Sequence, residues 1–311
     1  MGIITRLNLD TIPVESFIGI NGRPGSGKTT AMLHIVYAMR NKIDSILLVT
    51  ESYKTIKMAQ GHIPELSYIH VTDMVDSENP LPNQMSWNEA GDTHIAVDEI
   101  ARFIGECRTR FDRAISKGQE PRRSMLILDD CSFDKSRLES KMMRNLYSNF
   151  RQLGIFLMII AQELFQLPKA ARNMITHAIS FRMVSEVQQK EMHKSYYNVI
   201  DDFKTFKKII TRTTAPPKQF IEELTARNLG REELALAKQH GPRGCLVYDG
   251  WRGANAETYR DCIFYFYPDY SIKDKEWLFG NTIYHECAKR WCVGKEDKRL
   301  QIVDKHLQTD K

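Results

Sequence analysis

Residues 17–40 read FIGINGRPGSGKTTAMLHIVYAMR, and no other stretch limits the folds open to this chain so strongly. ESFIGI, ending at Ile20, is a short apolar run of strand character. It leads into Gly22, Arg23, Pro24, Gly25, Ser26, Gly27, Lys28 and Thr29, which fit the pattern G-x-x-x-x-G-K-[ST], and from Thr30 an apolar helical stretch follows. Each position has a physical reason. Glycines let the backbone curl so that successive N–H groups converge on one anion, and the following helix adds the positive end of its dipole. Lys28 is placed to reach the β- and γ-phosphates of a nucleotide, and the Thr29 hydroxyl to ligate Mg²⁺. Such a pattern arises by chance in roughly one chain per hundred of this length, and the strand before and helix after lower that rate further.

A second apolar run, SMLIL, stops on two adjacent carboxylates, Asp129 and Asp130. Two acids side by side repel each other in a dry interior, so a cation is needed to offset them. In phosphate-loop proteins a second buried strand presents an acid to the metal held by the loop hydroxyl. Asp129 suits that Mg²⁺ role. Asp130, one residue on, suits a general base or water-positioning group, with a turn cap as its alternative. Asp134 reads as a helix cap. The next strand, GIFLMIIAQ, ends on Gln162, a polar tip placed to sense the γ-phosphate or hold the water. An extra acid and a polar tip on the following strand favour ATP hydrolases of the RecA-like type over GTPases and small-molecule kinases.

The remaining pattern alternates. DSILLVTES and SYIHVTD read as strands and SENPLPNQ as a surface loop. Val97, Ile100, Phe103 or Ile104, Cys107, Phe111 and Ile115 recur at helical spacing. So do Leu138, Met142, Leu146 and Phe150, with Lys135, Arg137, Lys141 and Arg144 opposite. LPKAARNM predicts a short helix and HAISFR a strand; residues 186–220 read as helical; GCLVYDG and DCIFYFYP read as two late strands. Strands alternating with helices predict an α/β fold, a RecA-like P-loop ATPase with a mainly parallel central sheet flanked by helices on both faces. The expected division is a motor domain over 1–270 and a helical, then charged, tail over 271–311.

Composition sets bounds rather than answers. A net charge of +5 over 311 residues is mild support for a polyanionic partner. The longest apolar run, Gly154 to Ala161, is far short of the roughly 20 residues that cross a bilayer, so no membrane span is expected. MGIITRLNLD has no signal-peptide layout. Six scattered cysteines without a CxxC pair read as reduced thiols, and His285, Cys287 and Cys292 lack a fourth ligand for zinc.

NGRPGSGKTT, MLILDDCS, YSNFRQLGIFLMIIAQ, LPKAARNMITHAISFR and GCLVYDG followed by CIFYFY together resemble the genome-packaging ATPases of nucleocytoplasmic large DNA viruses. These form the poxvirus-type branch of the FtsK–HerA superfamily, and the resemblance spans roughly Phe17 to Tyr267. It implies a homo-oligomeric ring, a pentamer or hexamer, that hydrolyses ATP with Mg²⁺ to drive double-stranded DNA of any sequence into a preformed capsid. A capsid or portal protein as partner, and the host cytoplasm at sites of virion assembly as location, follow from it, with association to the virion itself a further implication. In such rings an arginine from the neighbouring subunit stabilises charge on the γ-phosphate. Arg172 in KAARN is the first candidate and Arg151 in NFRQLG the second. Gln152 departs from the family, whose members often carry a histidine there, and Arg23 is an alternative acting within its own subunit. Sequence-independent DNA contact calls for Lys and Arg on phosphates; Lys204 to Arg212, and Arg122 with Arg123, supply them. The competing readings are an assembly or secretion ATPase of the filamentous-phage and zonula-occludens-toxin type, and a nucleotide-dependent virion scaffold.

Overall fold

The protein is represented by a computed structural model that describes residues 4–64, 67–71, 84–85, 96–121, 123–130, 138–227 and 241–280. Asp134, Lys135, Arg137, Arg122, His285, Cys287, Cys292 and most of SENPLPNQ lie outside the described residues.

Ten strands form one sheet. From one edge to the other they are β1 (Thr5–Arg6), β10 (Ile263–Phe266), β9 (Cys245–Asp249), β8 (His177–Ser180), β2 (Phe17–Asn21), β7 (Ile155–Ala161), β6 (Ser124–Asp129), β3 (Ser45–Thr50), β4 (Tyr68–Val71) and β5 (Gln84–Met85). Only β9 runs against its neighbours β8 and β10; the other pairings are parallel. The expected mainly parallel α/β sheet is therefore present. The two late strands include the antiparallel exception, and the short edge strands β1 and β5 carry too little apolar pattern to be read in advance.

The apolar runs are continuous because both faces of the sheet are covered. All seven residues of β7 are buried, and successive residues face opposite cores. Leu157 and Ile159 join one cluster, and Phe156, Met158 and Ile160 the other. Helix α1 (Lys28–Met39) and α2 (Tyr53–Ala59) supply the second cluster through Met32, Ile35, Val36 and Ile56. Helices α3 (Ala96–Ser116), α4 (Lys141–Asn149), α5 (Lys169–Met174), α6 (Glu186–Tyr196) and α7 (Phe203–Thr213) cover the first through Ile100, Cys107, Leu146, Ala171, Met192 and Phe206. Each buried Ile, Val, Leu, Met or Phe side chain among these contributes about 1.5–3 kcal/mol.

Local chemistry sets the helix ends. Ser52, Ser140 and Asp202 accept from the N–H groups of Thr55, Met143 and Thr205, starting α2, α4 and α7. The helical stretch read over 186–220 is broken between Tyr197 and Asp202 and again before Pro217, where α8 (Lys218–Ala226) begins. In α3 the expected apolar stripe holds at Ile100 and Cys107 and fails at Ile115, which is 55% exposed while Ala114 turns inward. Past residue 270 the chain stays on the core. Ile272, Trp277 and Phe279 are buried in the α1-side cluster, and residues 275–280 are not helical. Among the described residues no helix is long and apolar enough to cross a membrane.

Candidate nucleotide site at the strand tips

In a parallel sheet the carboxyl ends of the strands share one edge, and ligands bind outside it. Here Asn21 of β2 pairs with Ala161 of β7 and Ser180 of β8, while Asp129 of β6 pairs with Ile160 of β7 and Thr50 of β3. The phosphate loop, Gln162, the acid pair and Thr50 thus stand along one rim. The loop strand and the acid strand are not neighbours: β7 lies between them, and Gln162, exposed, is one residue past its end.

The loop has the shape its glycines predict. Gly25 has φ 73° and Gly27, which precedes α1, has φ 103°, a region open to glycine. Ser26 N–H donates to Arg23 O at 3.1 Å and Ala31 N–H to Gly27 O at 2.9 Å. Arg23, Pro24 and Gly25 are exposed; Gly22, Ser26, Lys28 and Thr30 are buried, with Thr29 half-buried. Lys28 Nζ donates to Gly22 O at 2.8 Å and lies 3.5 Å from Arg23 O. Burial lowers the Lys28 pKa, opposed by the carboxylates of Asp130 and Asp129, so both acids act on the loop lysine through space. The polar atoms Asn21 Oδ1 and Ser26 Oγ are buried without a hydrogen-bond partner among the described residues.

Asp129 is 1% exposed. Burial pushes its pKa up to about 6, countered by hydrogen bonding from Thr55 and Thr50 and reinforced by the neighbouring charge of Asp130. Thr50 Oγ1 itself accepts from Ser52 N–H at 3.0 Å, which fixes the hydroxyl that faces Asp129. Asp130 continues the ladder through its N–H to Ile160 O at 3.0 Å, then turns into the left-handed region at φ 54°, the one described non-glycine residue to do so. Asp and Asn tolerate that region better than other side chains. Its Oδ1 is buried with no partner among the described residues.

These residues fit Mg²⁺. Thr29 and Asp129 are hard oxygen donors, and Asp130 adds a carboxylate whose Oδ1 has no partner among the described residues. Mg²⁺ uses one or two protein carboxylates and keeps water and phosphate for its other positions, so a site need not gather three acids; among the described residues no group of three or more His, Cys, Asp or Glu does so. A cavity of about 650 Å³ lies elsewhere, between Arg6–Asp10 and the later turns of α1; Asp10 is the one acid that lines it, and the phosphate loop and the Asp129–Asp130 pair take no part in it.

No family model matches the chain. It is 25% identical over 207 residues, 67% of this chain and 69% of the other, to uncharacterized protein 075L of Invertebrate iridescent virus 6. Over 134 residues, 40% of this chain and 29% of the relative, it is 29% identical to the signal recognition particle protein of Rickettsia conorii. Among solved structures, the genome packaging NTPase B204 of Sulfolobus turreted icosahedral virus 2, in complex with AMPPCP, is similar with a TM-score of 0.47 and 12% identity, covering 83% of this chain and 100% of that one. The cytoplasmic domain of the Thermomonospora curvata type VII secretion ATPase EccC is similar with a TM-score of 0.36 and 14% identity, covering 57% and 22%.

The two arginine candidates part company. Arg151 lies in the turn between α4 and the start of β7, at the edge opposite the loop, with its guanidinium 4.3 Å from the centre of the Trp251 ring and 5.4 Å from that of Phe150. A seven-residue strand separates it from its own phosphate loop, about 23 Å. Arg172 lies on α5, in the connection from the tip of β7 back to the start of β8; it is half-buried, its Nε has no partner among the described residues, and its charge acts on Tyr196. Of the basic groups read as DNA contacts, Arg123 is committed to Glu15 at 2.6 Å and to the Phe111 ring. Lys204, Lys207, Lys208 and Arg212 are exposed on α7, with Lys207 paired to Glu186 at 3.0 Å. Sequence reading missed Thr50, Thr55 and Asn21. The signal for Thr50 was present: SILLVT is an apolar strand ending on a polar residue, as SMLILD and IFLMIIA-Gln are.

Proposed function

We propose that this protein is an ATP phosphohydrolase that translocates double-stranded DNA and packages a viral genome. One arrangement carries the hydrolase part: the Gly22–Thr30 loop and the Asp129–Asp130 pair share one rim, and Gln162 stands between them. Loop N–H groups hold the β-phosphate, and Lys28 exchanges its Gly22 carbonyl for the β- and γ-phosphates. Thr29 and Asp129 would hold Mg²⁺, which would neutralise charge on the phosphate oxygens. Asp130, one residue past the tip of β6, takes the proton of a water whose oxygen attacks the γ-phosphorus, while the bond to the β–γ bridging oxygen breaks and ADP leaves. Gln162 orients that water.

The packaging part is supported by the series of motifs from NGRPGSGKTT to CIFYFY and by a viral relative matched over 67% of the chain. It carries with it the ring of five or six subunits, a trans arginine at Arg172, a capsid or portal partner, and action at sites of virion assembly. Sequence-independent DNA contact falls to the exposed lysines of α7. The test is the rate of phosphate release with and without duplex DNA, across salt, alongside particle size by light scattering. Several-fold stimulation that fades as salt rises is expected, as is loss of all turnover in Lys28→Ala. A DNA-indifferent rate at every salt concentration overturns the translocase while leaving the hydrolase standing.

A further inference from the structure

The rim has a direction. Outward from the loop strand β2 on one side come Gln162, the acid pair and Thr50; on the other side come the tips of β8, β9 and β10. A γ-phosphate has to lie toward the acids, because the groups that attack it are there. The loop grips the middle of the triphosphate, so the α-phosphate and nucleoside leave on the opposite side. The antiparallel course of β9 brings its first residue, and the preceding Arg243 and Gly244, to this same rim, next to Phe181 after β8 and Tyr267–Tyr270 after β10.

Tyr270 is the aromatic group that meets the loop there. A Cβ placed on Gly27 would collide with Tyr270 Oη and crowd the Phe181 ring at 3.3 Å, so the hydroxyl end of the tyrosine abuts the loop backbone just before Lys28. Its position is fixed from two sides. Tyr270 Oη accepts from Arg243 N–H at 3.0 Å and donates to Arg243 O at 3.4 Å, while the adjacent Asp269 N–H donates to His34 Nδ1 of α1 at 3.0 Å. The Tyr270 residue is partly exposed, and among the described residues its ring has no aromatic partner. The geometry points to Tyr270 as the wall against which the nucleoside of the bound triphosphate packs, a subsite that separates nucleoside triphosphates from bare polyphosphate. This rests on the loop being a triphosphate site.

The ring supplies a π-face at low entropic cost because it is already held. Base–aromatic stacking of this kind changes affinity by roughly 5- to 150-fold on removal of the ring. A prop for Gly27 and a nucleoside wall make different demands on the ligand: loss of a prop deforms the loop and weakens every triphosphate alike, whereas loss of the wall weakens only ligands that carry a base and ribose.

Calorimetric titration of the full-length protein with ATP and with inorganic tripolyphosphate, both with Mg²⁺, distinguishes them. Tyr270→Phe, which keeps the ring, is expected to bind both within about 3-fold of wild type. Tyr270→Leu, which keeps an apolar side chain without a π-face, is expected to lose about 10- to 100-fold for ATP and under 3-fold for tripolyphosphate. Equal losses for both ligands, or no loss for ATP, overturn the assignment. Lys28→Ala is the control for the underlying reading: if it binds tripolyphosphate as wild type does, the loop is not a triphosphate site. Photolabelling of wild-type protein with 8-azido-ATP requires no variant; label mapping to residues 267–270 or 241–244 is expected, and label confined to the β3–β4 side counts against the subsite.

Discussion

Thr50 Oγ1 donates to Asp129 Oδ2 at 2.9 Å, and the two residues are the last register pair of β3 and β6. The bond favours the ionised form of a buried carboxylate, against the burial that raises its pKa, and fixes the orientation of Oδ2. Groups that orient a metal ligand in this way change metal affinity or activity by about 10- to 100-fold. Thr50→Val keeps the shape and the strand propensity and removes the donor. The expected result is a rise of about 10-fold or more in the Mg²⁺ concentration that half-saturates ATP turnover, with Mg²⁺-free nucleotide binding unchanged. Thr50→Ser restores the wild-type Mg²⁺ response.

Asp130 combines φ 54° with a buried oxygen that has no partner. Asn tolerates the left-handed region as well as Asp does and lacks the basic oxygen, so Asp130→Asn separates fold from chemistry. Thermal stability and ATP affinity are expected to stay near wild type, while turnover falls about 10²- to 10⁴-fold, the contribution of a positioned proton acceptor. Asp130→Val, by contrast, puts a β-branched residue where φ is positive and costs about 1–2 kcal/mol of stability. A fully active Asp130→Asn protein would remove the proposed base.

Much of this was legible in the sequence because the signals are local. A strand, a glycine loop and a helix lie within 24 consecutive residues, and SMLILDD and FLMIIAQ show buried strands that end abruptly on polar groups. What stayed hidden depends on pairing between distant segments. Nothing in the local pattern says that β7 intercalates between β2 and β6, that β9 runs backwards, or that Tyr270 returns to Gly27 across more than 240 residues. Gly27 illustrates the limit: its place in the motif is visible, but the second reason for glycine there, an oncoming tyrosine, is a tertiary fact.

The opposite edge of the sheet depends on Asp249, buried beside His177 at 3.5 Å and accepting from Trp251 N–H at 3.0 Å and Arg252 N–H at 3.2 Å. Burial alone would raise its pKa; hydrogen bonding and charge from His177, with Arg252, outweigh that and lower it. Because the folded value lies below the unfolded one, its contribution is whole above about pH 4 and is lost as pH falls through the lowered folded value. Asp249→Asn is therefore expected to cost about 1–2 kcal/mol at pH 7, measured by denaturant titration. The gap should narrow only in acid below about pH 4; a gap that closes between pH 5 and 7 would overturn Asp249 as its source.

Arg172 is the remaining test of the ring. Its Nε is buried on α5 and has no partner among the described residues, whereas Arg151 is taken up by Trp251. A trans arginine is worth about 10³- to 10⁵-fold in turnover, so Arg172→Ala should bind ATP normally and hydrolyse it at least 10²-fold more slowly. Arg151→Ala should instead lose about 0.5–1 kcal/mol of stability through the exposed cation–π contact and keep most of its turnover. Mixing decides whether Arg172 works across an interface. Lys28→Ala subunits have the arginine and no working loop; Arg172→Ala subunits have the loop and no arginine. In a co-refolded mixture whose mixed particles are verified by light scattering and mass spectrometry, a working loop meets an intact arginine at some interfaces, and phosphate release reappears. Mixed rings as silent as either parent would place Arg172 within its own subunit or outside the reaction altogether.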